Sequence, residues 1–490
     1  MNDQPGETSP EKIADLQKRA RGLEPDGDQF QKVLTEVSGY AREFLAALDH
    51  LPAFVENMGK GQSLLEEPIS EEPEHLEKLL EIVKKEVDTP GINTASGGHL
   101  GYIPGCGIVH AALGDFLAAI TNRYAGIFYA SPGAVRMENL LLQWMASLVG
   151  YPKTATGNLT SGGSVANLMA VVAARDAHGL KAKDTHRVVV YSSEHVHHCL
   201  DKALRIAGMG ECVIRMIPLD GAYRIDPLAL ERQVEKDKAA GLLPWFVIAS
   251  AGTTDTGAID PLRRIGEIAD AHALWYHIDA AYGGFFMLCP EGRAKLAGLE
   301  LSDSIVLDPH KGLLLPFGTG AVLVKSADAL LASHRYRANY MQDVEGASTE
   351  ISPADVSPEL SKHFRGLRMW LPLKALGLKP FRAALSEKIH LARYFYNRLE
   401  KIEGFELGPY PDLTVVTFRY VPRRGEANKF NQRLLGRILQ DGRIFISSTL
   451  IDGRFTLRMA VLSVRTHLKT IDLFLEILQT AVREMNSSGG

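Results

Sequence analysis

"DPHKGLLLPFGTGAVLVK", residues 308–325, sets Lys311 between a histidine and a glycine, directly after the apolar run Ser304-Ile305-Val306-Leu307. That run reads as a buried strand, and "GTGAVLVK" restarts as another. A lysine at the mouth of a core strand loses hydration unless its charge or its amine is used. Lys311 therefore marks a site, and the alternation around it decides the fold class.

From about Gly91 onward, glycine-rich connections and helical patterns alternate with short β-branched runs: "RVVVYSS", "WFVIASAGTT", "LWYHIDAAY", "SIVLDPHK" and "GAVLVK". Strands alternating with helices predict an α/β fold, a mostly parallel sheet covered on both faces. Four of the runs end in polar residues. Open α/β sheets bind ligands outside the carboxyl ends of their strands, where those residues would lie. After Phe364, "FRGLRMWLPLKALGLKPFRAALSEKIHLARYFYNRLEKI" predicts long helices. "LTVVTFRYV" and "FTLRMAV" add strands, and a closing helix runs from about Leu468.

Upstream, residues 1–26 are polar and read as loose. From Gln29 to about Leu51 the apolar residues Phe30, Val33, Leu34, Val37, Tyr40, Phe44, Leu45 and Leu48 recur at helical spacing, and "EEPISEEPEHLEKLLEIVKKEV" gives a second helix. Neither can bury its apolar face alone, so this piece is expected to pack on another domain or a second subunit. The predicted division is a helical segment over 1–90, a large α/β domain over 91–365 and a small α+β domain over 366–490.

Among 490 residues, 46% are hydrophobic, enough for a large core. Lys plus Arg total 54 and Asp plus Glu 58, a net charge of −4, so no basic excess asks for nucleic acid or an acidic membrane surface. No stretch approaches the roughly 18 continuous apolar residues of a membrane helix. Cys106, Cys199, Cys212 and Cys289 stand far apart without a CxxC pair, and the polar N-terminus lacks a secretory core. The expected location is the cytoplasm, where thiols stay reduced.

Three further stretches carry chemistry. "LTSGGSVANLMAVVAARDA", from Leu159, leads small residues 161–164 into a helix. Backbone N–H groups at such a turn suit a phosphate, although the spacing is neither GxGxxG nor a P-loop. "YHIDAAYGG" places Asp279 after an apolar strand start; alone it could simply cap a turn. "SSEHVHHCLDKA" holds His195, His197 and His198. A metal reading is set aside because no second ligand cluster has a sensible spacing, so no metal is expected. His197 could present its flat ring to a flat cofactor. Taken together, a phosphate turn, a histidine, a strand-end aspartate and a strand-end lysine answer to one ligand, pyridoxal phosphate. Its aldehyde forms a Schiff base with a lysine and its pyridine nitrogen pairs with an aspartate.

The same residues resemble the group II pyridoxal-phosphate amino-acid decarboxylases of fold type I, relatives of aromatic-L-amino-acid and glutamate decarboxylases. The resemblance runs from about Gly91 to Arg465 and is carried by "SPGAVRMENLLLQWMASLVGYP", "HIDAAYGGFFMLCPEGR" and "DSIVLDPHK". It implies a large seven-stranded domain, a homodimer with sites at the interface, and decarboxylation of an L-amino acid to an amine. It further implies that Gly163 and Ser164 hold the phosphate, His197 stacks on the ring, Thr254 and Ala281 contact it, and Asp279 keeps its nitrogen protonated. Asp308 and His310 would flank the Schiff-base Lys311, with Tyr102 and Arg458 near the substrate. Two departures stand out. Gly312 replaces the tryptophan usual in aromatic decarboxylases, and the loop 341–363 lacks the tyrosine that relatives use as a proton donor. Tyr340 lies just upstream. The missing tyrosine opens a second outcome, oxidative conversion to an aldehyde or carbon–carbon lyase chemistry.

Overall fold

The computed structural model describes residues 9–56, 59, 61–66, 68–103, 105–335 and 350–487; Tyr340 and residues 341–349 of the loop fall outside them. Two compact units divide the chain, residues 1–51 with 55–93 and residues 52–54 with 94–490.

In the smaller unit, Pro10–Ala20 is helical, where the polar composition had suggested a loose segment. The physical reason lies at its ends. Ser9 accepts the Lys12 N–H, Pro10 is preset for the first turn, and Lys18 and Arg19 face the negative end of the helix dipole. Gly27–Ala47 follows, opened by a capping box between Asp26 and Gln29. Neither helix buries a residue.

The larger unit is built on a seven-stranded sheet. In chain order its strands are β1 (Thr156–Thr160), β2 (Val188–Ser192), β3 (Val213–Met216), β4 (Leu243–Ser250), β5 (Trp275–Asp279), β6 (Ser304–Leu307) and β7 (Gly320–Val324). Across the sheet they run β1-β7-β6-β5-β4-β2-β3. Only β7 runs antiparallel to its neighbours, β1 and β6. Every residue of β2, β6 and β7 is buried, as a parallel sheet covered on both faces requires. The edge strands β1 and β3 carry the weakest apolar signal and were not among the predicted runs.

Local chemistry fixes the covering helices. Pro132–Val149 starts on a proline and ends at Gly150 in the left-handed region, φ 83°. Pro227–Ala239 starts on a proline whose preceding Asp226 accepts the N–H groups of Leu228 and Ala229. The C-terminal part adds an antiparallel sheet of β8 (Phe405–Leu407), β9 (Val415–Tyr420), β10 (Ser447–Ile451) and β11 (Arg454–Ala460), ordered β8-β9-β11-β10. Helices Lys379–Leu399, Ala427–Asp441 and Leu468–Ser487 pack on it around Phe395, Phe418 and Phe474. Among the described residues no helix is long and apolar enough to cross a membrane.

Candidate active site

The carboxyl ends of β1, β2, β4, β5 and β6 open on one edge of the large sheet, and the chemistry-bearing residues gather there. Lys311 sits on a single helical turn, Pro309–Gly312, that starts right after β6. Its Nζ lies 2.9 Å from Asp308 Oδ2. Burial opposes the ammonium, but Asp308 and Asp279 outweigh it and raise the lysine's pKa above its ordinary value. The other oxygen of Asp308 is buried without a hydrogen-bond partner. His310 donates from Nδ1 to the Thr319 carbonyl at 2.6 Å, and burial lowers its pKa.

Asp279 ends β5. Its Oδ1 accepts the Ala281 N–H at 3.1 Å and its Oδ2 accepts from Asn167 Nδ2 at 3.3 Å. Among the described residues no cation lies within salt-bridge distance of it. On the loop after β2, His197 Nδ1 accepts the Cys199 N–H at 3.2 Å, so the neutral ring carries its proton on Nε2. Burial lowers the pKa of His197, with the negative charge of Asp279 acting against it.

The glycine turn of residues 161–164 lines the same cavity. Gly163 opens the helix Gly163–Ala177, whose first-turn N–H groups have no intrahelical acceptors. A Cβ at Gly163 would meet the Asp308 carboxylate at 2.9 Å and one at Gly320 would meet it at 2.8 Å, so glycine is required where these backbones approach the aspartate.

These groups enclose a cavity of about 290 Å³. It is lined by Gly163, Ser164, His197, Thr254, Asp279, Ala281, Asp308, His310 and Lys311, nine of the residues singled out in the sequence. Two others lie elsewhere. Tyr102, with φ 52°, is more than half exposed and sets its ring against Phe445 at 5.5 Å. Arg458 is buried and donates to the Tyr102 carbonyl at 2.9 Å, Ser447 Oγ at 3.1 Å and the Asp255 carbonyl at 3.2 Å. Burial lowers its pKa to about 10. Of the histidine cluster, His195 and His197 line the cavity, and among the described residues no three His, Cys, Asp or Glu side chains converge to hold a metal ion.

Sequence reading passed over Ile103, Asn167, Cys199, Ser250 and Tyr282, which also line the cavity. One of these was within reach. Asn167 stands four residues after Gly163 and so shares its helix face.

The chemistry of this set fits pyridoxal phosphate. A helix start and glycine turn answer to a phosphate, and a carboxylate with no ion-pair partner among the described residues answers to a protonated pyridine. Lys311 is the amine within the same cavity, and His197 offers an Nε2–H from a flat ring.

Comparisons with known proteins bear on the same assignment. The pyridoxal-dependent decarboxylase conserved domain matches residues 59–421. An aromatic-L-amino-acid decarboxylase of Bacillus atrophaeus is 33% identical over 407 residues, 82% of this chain and 84% of the relative. A phenylacetaldehyde synthase of Arabidopsis thaliana is 29% identical, covering 93% of this chain and 96% of its own length. The Oryza sativa TDC structure, solved with PLP and tryptamine, superposes with a TM-score of 0.89 at 26% identity, covering 94% of this chain and 99% of that one.

Proposed function

The chain belongs to the pyridoxal-dependent decarboxylase family, and from that premise we propose that Lys311, Asp279 and His197 are the groups with which it acts on its substrate. It is a pyridoxal-phosphate-dependent enzyme that decarboxylates an L-amino acid. When bound, the cofactor supplies an electron sink for the pair left behind by departing carbon dioxide. The observation that carries the residue assignment is the convergence of Lys311, Asp279, His197 and the 161–164 turn on one cavity.

Each side chain has a separate task. Lys311 holds the cofactor by its aldehyde. Gly163 and Ser164 bind the phosphate. Asp279 places negative charge against the ring nitrogen and keeps its proton in place. Thr254 and Ala281 border the ring, and Asp308 and His310 hold the lysine's turn. His197, with its proton on Nε2, is placed to cover the ring and to return a proton to the substrate carbon. Tyr102 and Arg458 belong near the substrate in this reading, with Arg458 holding the Tyr102 and Asp255 carbonyls.

The named relatives support an aromatic side chain on the substrate. A second outcome is favoured by two observations. The loop 341–363 contains no tyrosine, and a phenylacetaldehyde synthase is among the similar proteins. In that case oxygen takes up two electrons and water supplies the carbonyl oxygen, so amino acid, oxygen and water give aldehyde, ammonia, carbon dioxide and hydrogen peroxide. The test is to incubate cofactor-loaded enzyme with L-amino acids in air and quantify amine, aldehyde, carbon dioxide and peroxide. Amine with carbon dioxide supports simple decarboxylation; aldehyde with stoichiometric peroxide overturns it in favour of the oxidative reaction.

We also infer a homodimer with its sites near the interface. On the helix Val109–Thr121, Ala111, Gly114 and Ala118 are buried, while Val109, Leu113, Phe116, Leu117 and Ile120 form an exposed apolar stripe. Just before it, a Cβ at Gly105 would lie 2.4 Å from the His310 carbonyl, so the stripe begins next to the Lys311 turn. Leu113→Asp should yield monomers by light scattering; an unchanged mass would remove this support. The cytoplasm is the compartment proposed, on four buried cysteines without a disulfide. The three-part division at about residues 90 and 365 is the organisation proposed with it.

A further inference from the structure

From Asn167 at the cavity wall, a line of buried polar groups runs behind Asp279 into the sheet. Asn167 is 1% exposed, and His277 and Ser304 are fully buried. Asn167 Oδ1 lies 2.8 Å from His277 Nε2, and His277 Nδ1 lies 2.8 Å from Ser304 Oγ. Ser304 Oγ also accepts the Trp275 Nε1–H at 2.8 Å. Register explains the assembly. His277 precedes Asp279 by two residues on β5 and shares its face, while Ser304 is the Cα partner of His277 on β6.

The proton positions in this line follow from its chemistry. The Asn167 NH₂ group faces the Gly163 carbonyl at 3.0 Å, Asp279 Oδ2 at 3.3 Å and Cys199 Sγ at 3.5 Å. The first two can only accept, so the amide cannot be turned round. Its Oδ1 must then meet a donor, which puts a proton on His277 Nε2. Burial, partly offset by the charge of Asp279, lowers the His277 pKa to about 4, so the ring is neutral at pH 7 and has only that one proton. Nδ1 must therefore accept from the Ser304 hydroxyl, whose oxygen takes the Trp275 N–H. Every donor is used and the chain has one direction. Facing the imidazole from the neighbouring strand is the Phe246 ring, stacked at 5.6 Å, and among the described residues Asp279 is the charged group bearing on it.

We infer that His277 and Asn167 are positioning residues that fix the Asp279 carboxylate toward the ring nitrogen of the bound cofactor. This rests on the reading of Asp279 given above. A carboxylate on a strand end can turn about its χ angles. The Asn167 amide, locked by a neutral histidine of fixed tautomer, removes that freedom at Oδ2, and the Ala281 N–H removes it at Oδ1. The ring proton is then held by a preset partner rather than one that must reorient.

The test reads the ring nitrogen directly. Enzyme saturated with ring-¹⁵N-labelled pyridoxal phosphate is titrated with pH while the ¹⁵N shift reports protonation. Wild type is expected to keep the ring proton through neutral pH. His277→Leu and Asn167→Ala should lose it at least one pH unit lower. His277→Gln, which again offers an N–H to Asn167, should recover most of the difference. Folded His277→Leu and Asn167→Ala proteins with a wild-type titration, beside an Asp279→Ala protein whose titration moves, would overturn the relay and leave Asp279's role standing. A wild-type titration in Asp279→Ala would overturn that role as well. Should the buried substitutions fail to fold, Ser304→Ala decides. It removes the hydroxyl that holds His277 Nδ1, loosening the ring while Asn167 still sets its tautomer, and it should shift the titration in the same direction by a smaller amount; no shift overturns the proposal.

Discussion

Asp279, at the end of β5, rests on two uncharged donors, the Ala281 N–H at 3.1 Å and the Asn167 amide at 3.3 Å, whereas Asp308, after neighbouring β6, has the Lys311 ammonium at 2.9 Å and one buried oxygen with no partner. The same side chain thus does two jobs one strand apart. Asp279 is oriented but, among the described residues, has no cation within salt-bridge distance, which suits it to receive a cationic ring. Asp308 already has its counter-ion, and that ion is the amine which must be freed to hold the cofactor. The largest test of the contrast is Lys311→Ala. Turnover should be abolished and no covalent cofactor should be found by mass spectrometry after borohydride reduction, while Asp279 keeps both donors. Full activity in this variant would dissolve the distinction between the two aspartates.

Asp279→Ala should come next, lowering kcat by about 10²–10³-fold, the scale for removing one preorganised electrostatic group. Cofactor affinity should fall with it while the borohydride-trapped link to Lys311 survives. An unaffected rate would make Asp279 a structural cap only.

Asp308→Asn probes the other half through pH. A neutral amine is the form that attacks an aldehyde, and Asp308 helps to raise the pKa of Lys311 above its ordinary value. At neutral pH the wild-type amine is therefore almost wholly protonated, and cofactor loading should quicken as pH rises. Removing the carboxylate's charge lowers the lysine's pKa, so the loading profile should move to lower pH. The expected displacement is about one unit, or tenfold in rate at fixed pH. Stopped-flow loading of the apoprotein from pH 7 to 9 measures it. A profile displaced to higher pH would mean that Asp308 does not control the amine.

What was legible in the sequence follows the same division. The strand ends bearing Lys311, Asp308 and Asp279, and the glycine turn at 161–164, could be read because each interrupts an apolar run where a polar group needs a reason. Five core strands were readable by their β-branched density, while β1 and β3, at the sheet edges, lacked it. Tyr102 and Arg458 were assigned near the substrate by resemblance; in the fold the Tyr102 ring packs against Phe445, and Arg458 donates to the Tyr102 carbonyl while its Nη2 is left buried without a hydrogen-bond partner. Nothing local in "GYIP" or "LRMA" encodes that, since both orientations depend on β10 and on the loop after β4. The polar line behind Asp279 was hidden for a related reason. His277 is visible as a same-face neighbour of Asp279, yet Ser304 and Asn167 meet it only once β6 and the helix Gly163–Ala177 are in place.

Gly312 sharpens the comparison at its smallest scale. It stands where the resembling aromatic decarboxylases have tryptophan, yet it does not line the cavity, and a Cβ there would sit 2.6 Å from Phe285 Cβ. Phe285 is fully buried and stacked on Trp144 at 6.4 Å, so it fills the volume that a larger side chain at 312 would need. Asp279 is thus held by hydrogen bonds, and the turn carrying Asp308 and Lys311 by close packing. Gly312→Ala should destabilise the protein by about 1–3 kcal/mol, as overpacking a tight core does, and should shift the cofactor-loading profile through the displaced lysine. The ring-nitrogen titration set by Asp279 should stay where it is. Urea denaturation and the two titrations on one preparation separate these effects. If the ring nitrogen moved together with the loading profile, the two aspartates would be one mechanical unit and the contrast between them would fail.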